Sequence, residues 1–410
     1  MEFIFVEDIN DSRIGSFRDR IQTYGGLITT KQEPAIITFL LEQAKTLVVK
    51  MAKALHVLLE DDAEFNSNTN AIYYGIVDNI SINALLLPAS QEQDSEYFIA
   101  LYLGLLICPY SVLINAMSRN SQLLNYVKKD HFIPIERASC VLLPNSILRP
   151  KTKASVTRQI TAIHEKGNLG EYSIKFALEI AQAITSFSFI HELAHAVRSH
   201  VKIRDSSGNY LTANVLDEKN CLKAFSITNQ QDSKGNKIVL RALEHDADEQ
   251  AIAALLRIYD KISGVMTGHV DISLDSTKNI LLDTLFGETF ALGILFILMD
   301  NDEEIDSQQA DHPPSYYRFQ HLQYLLEKYG NNIWELSKNE CQEEILNAML
   351  ELQNFARILG RNASHWASSE ESETSKVLQE YREHVSKELP EYSSTIRDIE
   401  RLTSSSLVFV

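Results

Sequence analysis

Apolar positions along the chain follow two spacings, and the alternation between them predicts the elements. From Pro34 to Glu60 they recur every three or four residues with lysines on the opposite side, as in an amphipathic helix. A polar stretch from Asp61 to Asn70 ends it. Ile82 to Leu87 and Tyr97 to Leu101 are short apolar runs separated by polar turn residues, and they predict a hairpin over 80–101. Uncharged residues from about Leu103 to Met117 predict a buried helix, and Gly167-Asn168-Leu169-Gly170 breaks the chain before a long helix from Glu171 to His200. Two more helical stretches, near 239–262 and 276–300, follow. A helix from Tyr316 to Lys328 comes next, and after Asn331 helices alternate with Ser/Glu-rich spacers, of which 368–373 is the clearest linker.

The uncharged run from Tyr97 to Ser118 is long enough to cross a bilayer. Pro109 and Asn115 interrupt it, so a strand followed by a core helix is expected, and no membrane partner. The apolar run Phe290 to Met299 reads as too short to span. At 410 residues with 45% apolar content, the chain can fill a sizeable core. The formal charge of −17 argues against a nucleic-acid partner, because binding phosphate needs clustered cations. Cys108, Cys140, Cys221 and Cys341 are far apart with no C-x-x-C pair, which suits a reducing, cytoplasmic location. The N-terminal residues contain no signal-peptide pattern.

The most specific feature is His191-Glu192-Leu193-Ala194-His195 inside the long helix. Histidines four apart lie about 40° from each other around a helix axis, so both rings can converge on one metal ion, most often zinc. Downstream, Glu244 and Asp248 are also four apart in Arg241-Ala242-Leu243-Glu244-His245-Asp246-Ala247-Asp248. One carboxylate can bind metal while the other fixes a ligating histidine through its free ring nitrogen. His191, His195 and Glu244 would then leave a fourth position for water, the pattern of a catalytic rather than a structural zinc. His245 and Asp246 compete with Glu244 as third ligand, but only Glu244 has Asp248 four residues on, the partner that completes the expected support of a ligating histidine. Arg241 pairs with a carboxylate near the site or is a solvated helix-end arginine. Two other zinc patterns fail on the letters: position 198 is arginine rather than glycine, with His200 one place out of step, and position 241 is arginine rather than histidine.

With His312-Pro313-Pro314 and Arg318 following, these three segments resemble the motifs of HtpX-type gluzincin zinc peptidases, and within them the soluble Lit-like phage-exclusion peptidases of bacteria. Asn83-Ala84, the return strand and Gly104 are similar to elements preceding the active-site helix in that family. The resemblance covers about residues 70 to 325. It implies an α+β, mainly helical fold: a zincin-like core with a small sheet over 66–330, flanked by helical extensions at 1–65 and 331–410. It implies one Zn2+ per chain and hydrolysis of a protein substrate, with Glu192 as general base. It also implies that His312 packs near the metal as a donor to the oxyanion, with Arg318, Tyr316 and Tyr317 as further candidates. The plain alternative for His312 is a proline-fixed helix start.

Two further expectations concern substrate. Tyr97, Phe98, Ile99, Ala100 and Leu101 either form a sheet edge that an extended peptide joins or are simply a core strand. Residues 201–237, with two strong turn signals, read equally as a lid over the cleft and as a surface excursion. Outside peptide hydrolysis in phage defence, the sequence leaves two other functions open: cleavage of a repressor, and a zinc-holding interaction protein without activity.

Overall fold

A computed structural model of the protein describes residues 2–29, 33–60, 71–89, 96–120, 141–167, 169–198, 200, 216–217, 233–269, 274–299 and 315–361. The fold is α+β and mainly helical. Five strands, β1 (Glu2–Phe5), β2 (Ala71–Val77), β3 (Ala84–Pro88), β4 (Glu96–Tyr102) and β5 (Leu216–Asp217), form one sheet in the order β1-β2-β4-β3-β5. β1, β2 and β4 are parallel, while β3 runs antiparallel to β4 and to β5.

Strand alternation divides the core in two. Ile72, Tyr74, Ile76, Tyr97, Ile99, Leu101, Ala84 and Leu86 face the helices, and Ala71, Tyr73, Val77, Phe98, Ala100, Tyr102, Leu85 and Leu87 face Ile14, Phe17 and Ile21 of the N-terminal segment. Because both faces are covered, the strands read as nearly unbroken apolar runs in the sequence. The described residues between 2 and 60 pack into this same core. β1 is hydrogen-bonded in the sheet, and the short helix α1 (Arg18–Thr23) carries Ile21 onto one of its faces. The amphipathic helix α2 (Ala35–Glu60) packs on β1 and on the central helices.

The expected edge strand is corrected here. β4 is paired on both sides, with β2 from Ala71 to Val77 and with β3 from Ala84 to Pro88, so its backbone groups are already used. Beyond it on that side come β3 and then the two-residue β5, where Asp217 and Leu216 from within the 201–237 insert pair with Leu85 and Leu86. The rest of that insert up to 232 lies outside the described residues.

Immediately after β4 the chain turns into α3 (Gly104–Arg119). The turn needs glycine: a Cβ at Gly104 would lie 2.2 Å from Ser81 O and 2.3 Å from Ile80 O. This close approach, with Gly104 N–H donating to Asn79 O at 2.9 Å, sends α3 back across the sheet. After α4 (Asn145–Leu148) and α5 (Lys153–Lys166), Gly167 ends α5 in the left-handed region at φ 62°. α6 (Glu171–Val197) then crosses the middle of the molecule, against α2, α3, β3, β4 and two of the later helices.

Ile184-Thr185-Ser186-Phe187-Ser188-Phe189-Ile190 are weak helix formers, so packing must hold this part of α6. Ile184, Phe189, Ile190 and Leu193 are fully buried. Each such side chain contributes about 1.5–3 kcal/mol on burial. Thr185 and Ser188 donate back to the carbonyls of Ala181 and Ile184 at 2.8 and 2.9 Å, so their hydroxyls enter the core already bonded.

The remaining helices are α7 (Ser233–His269), α8 (Leu274–Met299), α9 (Ser315–Trp334) and α10 (Lys338–Ile358). A capping box between Ser337 and Glu340 starts α10, which packs on α8 within the same core. The boundary expected at 330 falls inside α9. Trp334 at its end donates to Leu256 O of α7 at 2.8 Å.

Among the described residues, α6 and the Thr277–Met299 part of α8 are long and apolar enough to cross a membrane by length and composition, and most of each apolar window is buried inside the protein. The apolar run at 290–299 is thus the end of a longer helix. Tyr97 to Ser118, in contrast, divides into β4 and α3, as expected.

Candidate metal centre

The last turns of α6 and the middle of α7 bring three ligand atoms together. His191 Nε2 and His195 Nε2 are 3.1 Å apart. Glu244 Oε2 lies 3.4 Å from His191 Nε2, and Glu244 Oε1 lies 3.5 Å from His195 Nε2. With one atom taken from each residue, the three ligand atoms lie within 4.8 Å of one another, close enough to converge on a single ion. All three residues are buried, and their donor set of two imidazoles and one carboxylate could hold a metal ion.

Glu244 is separated from its two rivals by the turn of the helix. His245, the next residue, points to the seam between α7 and α9, where its ring meets His321 edge to face at 4.5 Å. Burial there and the neighbouring His321 lower its imidazole to about 3. Asp246 is taken by Arg198 and His200.

Asp248 sits where the four-residue spacing puts it. Its Oδ1 is 3.0 Å from His191 Nδ1, so the histidine donates to it and keeps Nε2 bare for a metal. Arg318 holds Asp248 in turn, with Nε and Nη2 each 2.7 Å from a carboxylate oxygen. α9 is placed to do this by its seam with α7, where Lys328 Nζ and Tyr329 Oη also donate to Glu249 Oε1 at 2.9 and 2.6 Å. Arg318 was expected as a group for substrate or oxyanion. It lines the cavity beside Glu192, but its guanidinium fork is engaged with Asp248, and Nη2 is also 3.4 Å from Glu244 Oε2.

The electrostatics follow from burial. With the carboxyls ionised and the histidines neutral, as ligands must be, Glu192, Glu244, Asp246 and Asp248 outnumber Arg198 and Arg318 by two negative charges, all in groups nearly excluded from water. A divalent cation would balance them. Burial alone pushes His191 down, but its hydrogen bonds to Asp248 and Glu244 outweigh this and raise it to about 10. At His195 burial prevails and lowers it to about 4. Burial tends to raise the Glu244 carboxyl, yet the two histidines and Arg318 hold it well below the usual carboxylate range. A proton on His191 and a metal ion therefore compete for the same lone pair.

Glu192 lies beside the ligands without being one of the three converging groups. With Asn83, Ser188, His191 and Arg318 it lines a cavity of about 10 Å³, roughly the room one water molecule needs. Phe187, Leu105, Leu295 and Phe296 supply the apolar wall.

No family model matches the chain, and no curated protein or solved structure matches it. The likeness to gluzincins therefore stands on the three motifs, and the fold adds a buried His/His/Glu group that could hold a metal ion.

His312 lies outside the described residues, as do the side chains of Arg241, Tyr316 and Tyr317. Three residues take a place at the site that the sequence does not assign them: Arg198 and His200, which enter only a failed zinc pattern, and Asp246, which enters only as a rival ligand. The available signal was the run of three acids at alternate positions, 244, 246 and 248. The first and last share a helix face, but the middle one needs a partner from elsewhere. α6 ends at Val197, three residues before the expected His200, and the chain past its end supplies that partner.

Proposed function

We propose that this protein is a zinc-dependent endopeptidase acting on a protein substrate. The observation that carries this is the convergence of His191, His195 and Glu244 with Glu192 at their side, next to a water-sized cavity. Zinc held by the three ligands would supply a Lewis acid and bring the pKa of water to about 7. Glu192 accepts the proton of the attacking water and passes it to the leaving amine. Its apolar neighbours, Phe187, Leu105 and Phe296, keep competing water away from that carboxylate. Asp248 and Arg318 orient His191, so the ligand does not have to be ordered when substrate arrives.

The finer reading, a cytoplasmic gluzincin of the Lit-like type that takes part in bacterial phage exclusion, is supported by the order of the three motifs and by cysteines that form no C-x-x-C pair. Cys108 and Cys341 are buried thiols, and Cys108 Sγ donates to Ile80 O at 3.4 Å. The formal charge of −17 favours a protein substrate over a nucleic acid.

Incubation with casein, with lysate proteins and alone tests the proposal. Zinc-loaded protein should produce fragments in at least one of the three, stop when a chelator is added and resume when zinc is returned. Zinc-loaded protein that cleaves nothing in any of them would instead favour an interaction protein that keeps the zinc helices as scaffold.

A further inference from the structure

We propose that His200, Asp246 and Arg198 form a second positioning arm, which fixes the ring of the metal ligand His195. The proposal rests on the metal reading of the site above. His195 Nδ1 is 2.8 Å from His200 Nδ1, and His200 Nε2 is 2.9 Å from Asp246 Oδ2. Arg198 donates to the same carboxylate, from Nε to Oδ2 at 2.8 Å and from Nη2 to Oδ1 at 3.3 Å. His195, His200, Arg198 and Asp246 are 1%, 1%, 3% and 6% exposed, so water cannot substitute for any of these partners.

The chemistry of the groups fixes the direction of every bond. His195 Nε2 faces His191 and Glu244, so it keeps a lone pair for the metal and its proton sits on Nδ1. That N–H donates to His200 Nδ1, which must then be bare. The remaining proton of His200 is on Nε2 and donates to Asp246, a pure acceptor when ionised. Arg198, a pure donor, closes the chain. Reversing any one link would place two protons or two lone pairs against each other.

This arm parallels the one on the other histidine. There His191 donates to Asp248, and Arg318 clamps the carboxylate through the same Nε and Nη2 pair. Each ligand ring thus leads to an aspartate held by an arginine. The difference is the neutral imidazole between His195 and its aspartate. A ring in that place transmits orientation, but it keeps the carboxylate charge one residue away from the ligand.

The test is zinc affinity, measured by competition with a chromophoric chelator, for wild type, His200→Leu, His200→Gln and Asp246→Asn. The proposal expects His200→Leu to bind zinc about 10–100-fold more weakly. His200→Gln should recover much of the loss, because its amide oxygen accepts from His195 Nδ1–H while its amide N–H donates to Asp246. Filling of space alone would not distinguish glutamine from leucine in this way. Nitrogen-15 spectra of histidine-labelled, zinc-loaded wild type supply a readout that does not depend on a variant folding. His195 should be the Nδ1–H tautomer and His200 the Nε2–H tautomer. A folded His200→Leu with wild-type affinity, or His200 protonated on Nδ1, would overturn the second arm while leaving the metal site standing. Wild type that takes up no zinc would overturn the metal reading and the arm with it.

Discussion

Glutamine in place of Glu192 is expected to slow peptide cleavage by about 10²–10⁴-fold, the usual contribution of a positioned general base, with metal content unchanged. Glutamine has the same shape and keeps one acceptor oxygen, so the packing against Phe187 and Ser188 around the cavity should survive. What it cannot do is take a proton from water. Glu192 is not among the three groups whose ligand atoms converge, so the ion should stay. Measuring cleavage rate and bound zinc on the same preparation separates the two roles. Zinc lost together with activity would make Glu192 a ligand. Cleavage at the wild-type rate would remove it from the chemistry altogether.

The second large effect concerns stability. Arg318→Met should destabilise the metal-free protein by about 3–5 kcal/mol at neutral pH, because breaking a buried ion pair strands its partner. Asp248 is fully buried, and both its oxygens take a 2.7 Å bond from Arg318. Burial pushes the Asp248 carboxyl up, but Arg318 and His191 hold it well below the usual carboxylate range. In the wild type that depressed value contributes stability above the unfolded pKa of about 4, which is lost as pH falls through the folded value. Without Arg318 only His191 still opposes the burial effect, so less of that stability remains above pH about 4, while below the folded value there is none to lose. The gap between the two proteins should therefore narrow on acidification. Urea unfolding at neutral and acidic pH measures it, and an unchanged midpoint at neutral pH would mean the pair contributes no net stability.

What could be read in advance was whatever depends on spacing within one element. His191 with His195, and Glu244 with Asp248, share a helix face by their four-residue interval, and the folded protein brings both pairs to one point. The hairpin of β3 and β4 was legible for the same reason, since its polar turn is local. Contacts between distant segments were not. β1 is four residues long, and its parallel pairing with β2 joins Glu2 to Ala71. β4 reads as an edge strand only while its parallel partner β2 is unknown. His200 was set aside because it missed a ligand spacing. Its role depends on Asp246, forty-six residues on, and on where α6 stops.

The central claim is that His191, His195 and Glu244 hold one metal ion. Elemental mass spectrometry of purified, metal-replete protein tests it most directly, with wild type beside His191→Ala and Glu244→Ala. The account predicts about one zinc per wild-type chain, as three protein ligands and one open position require, and loss of that zinc in both variants. Zinc retained by Glu244→Ala would show that the third ligand is another residue, and wild type without zinc would contradict the account.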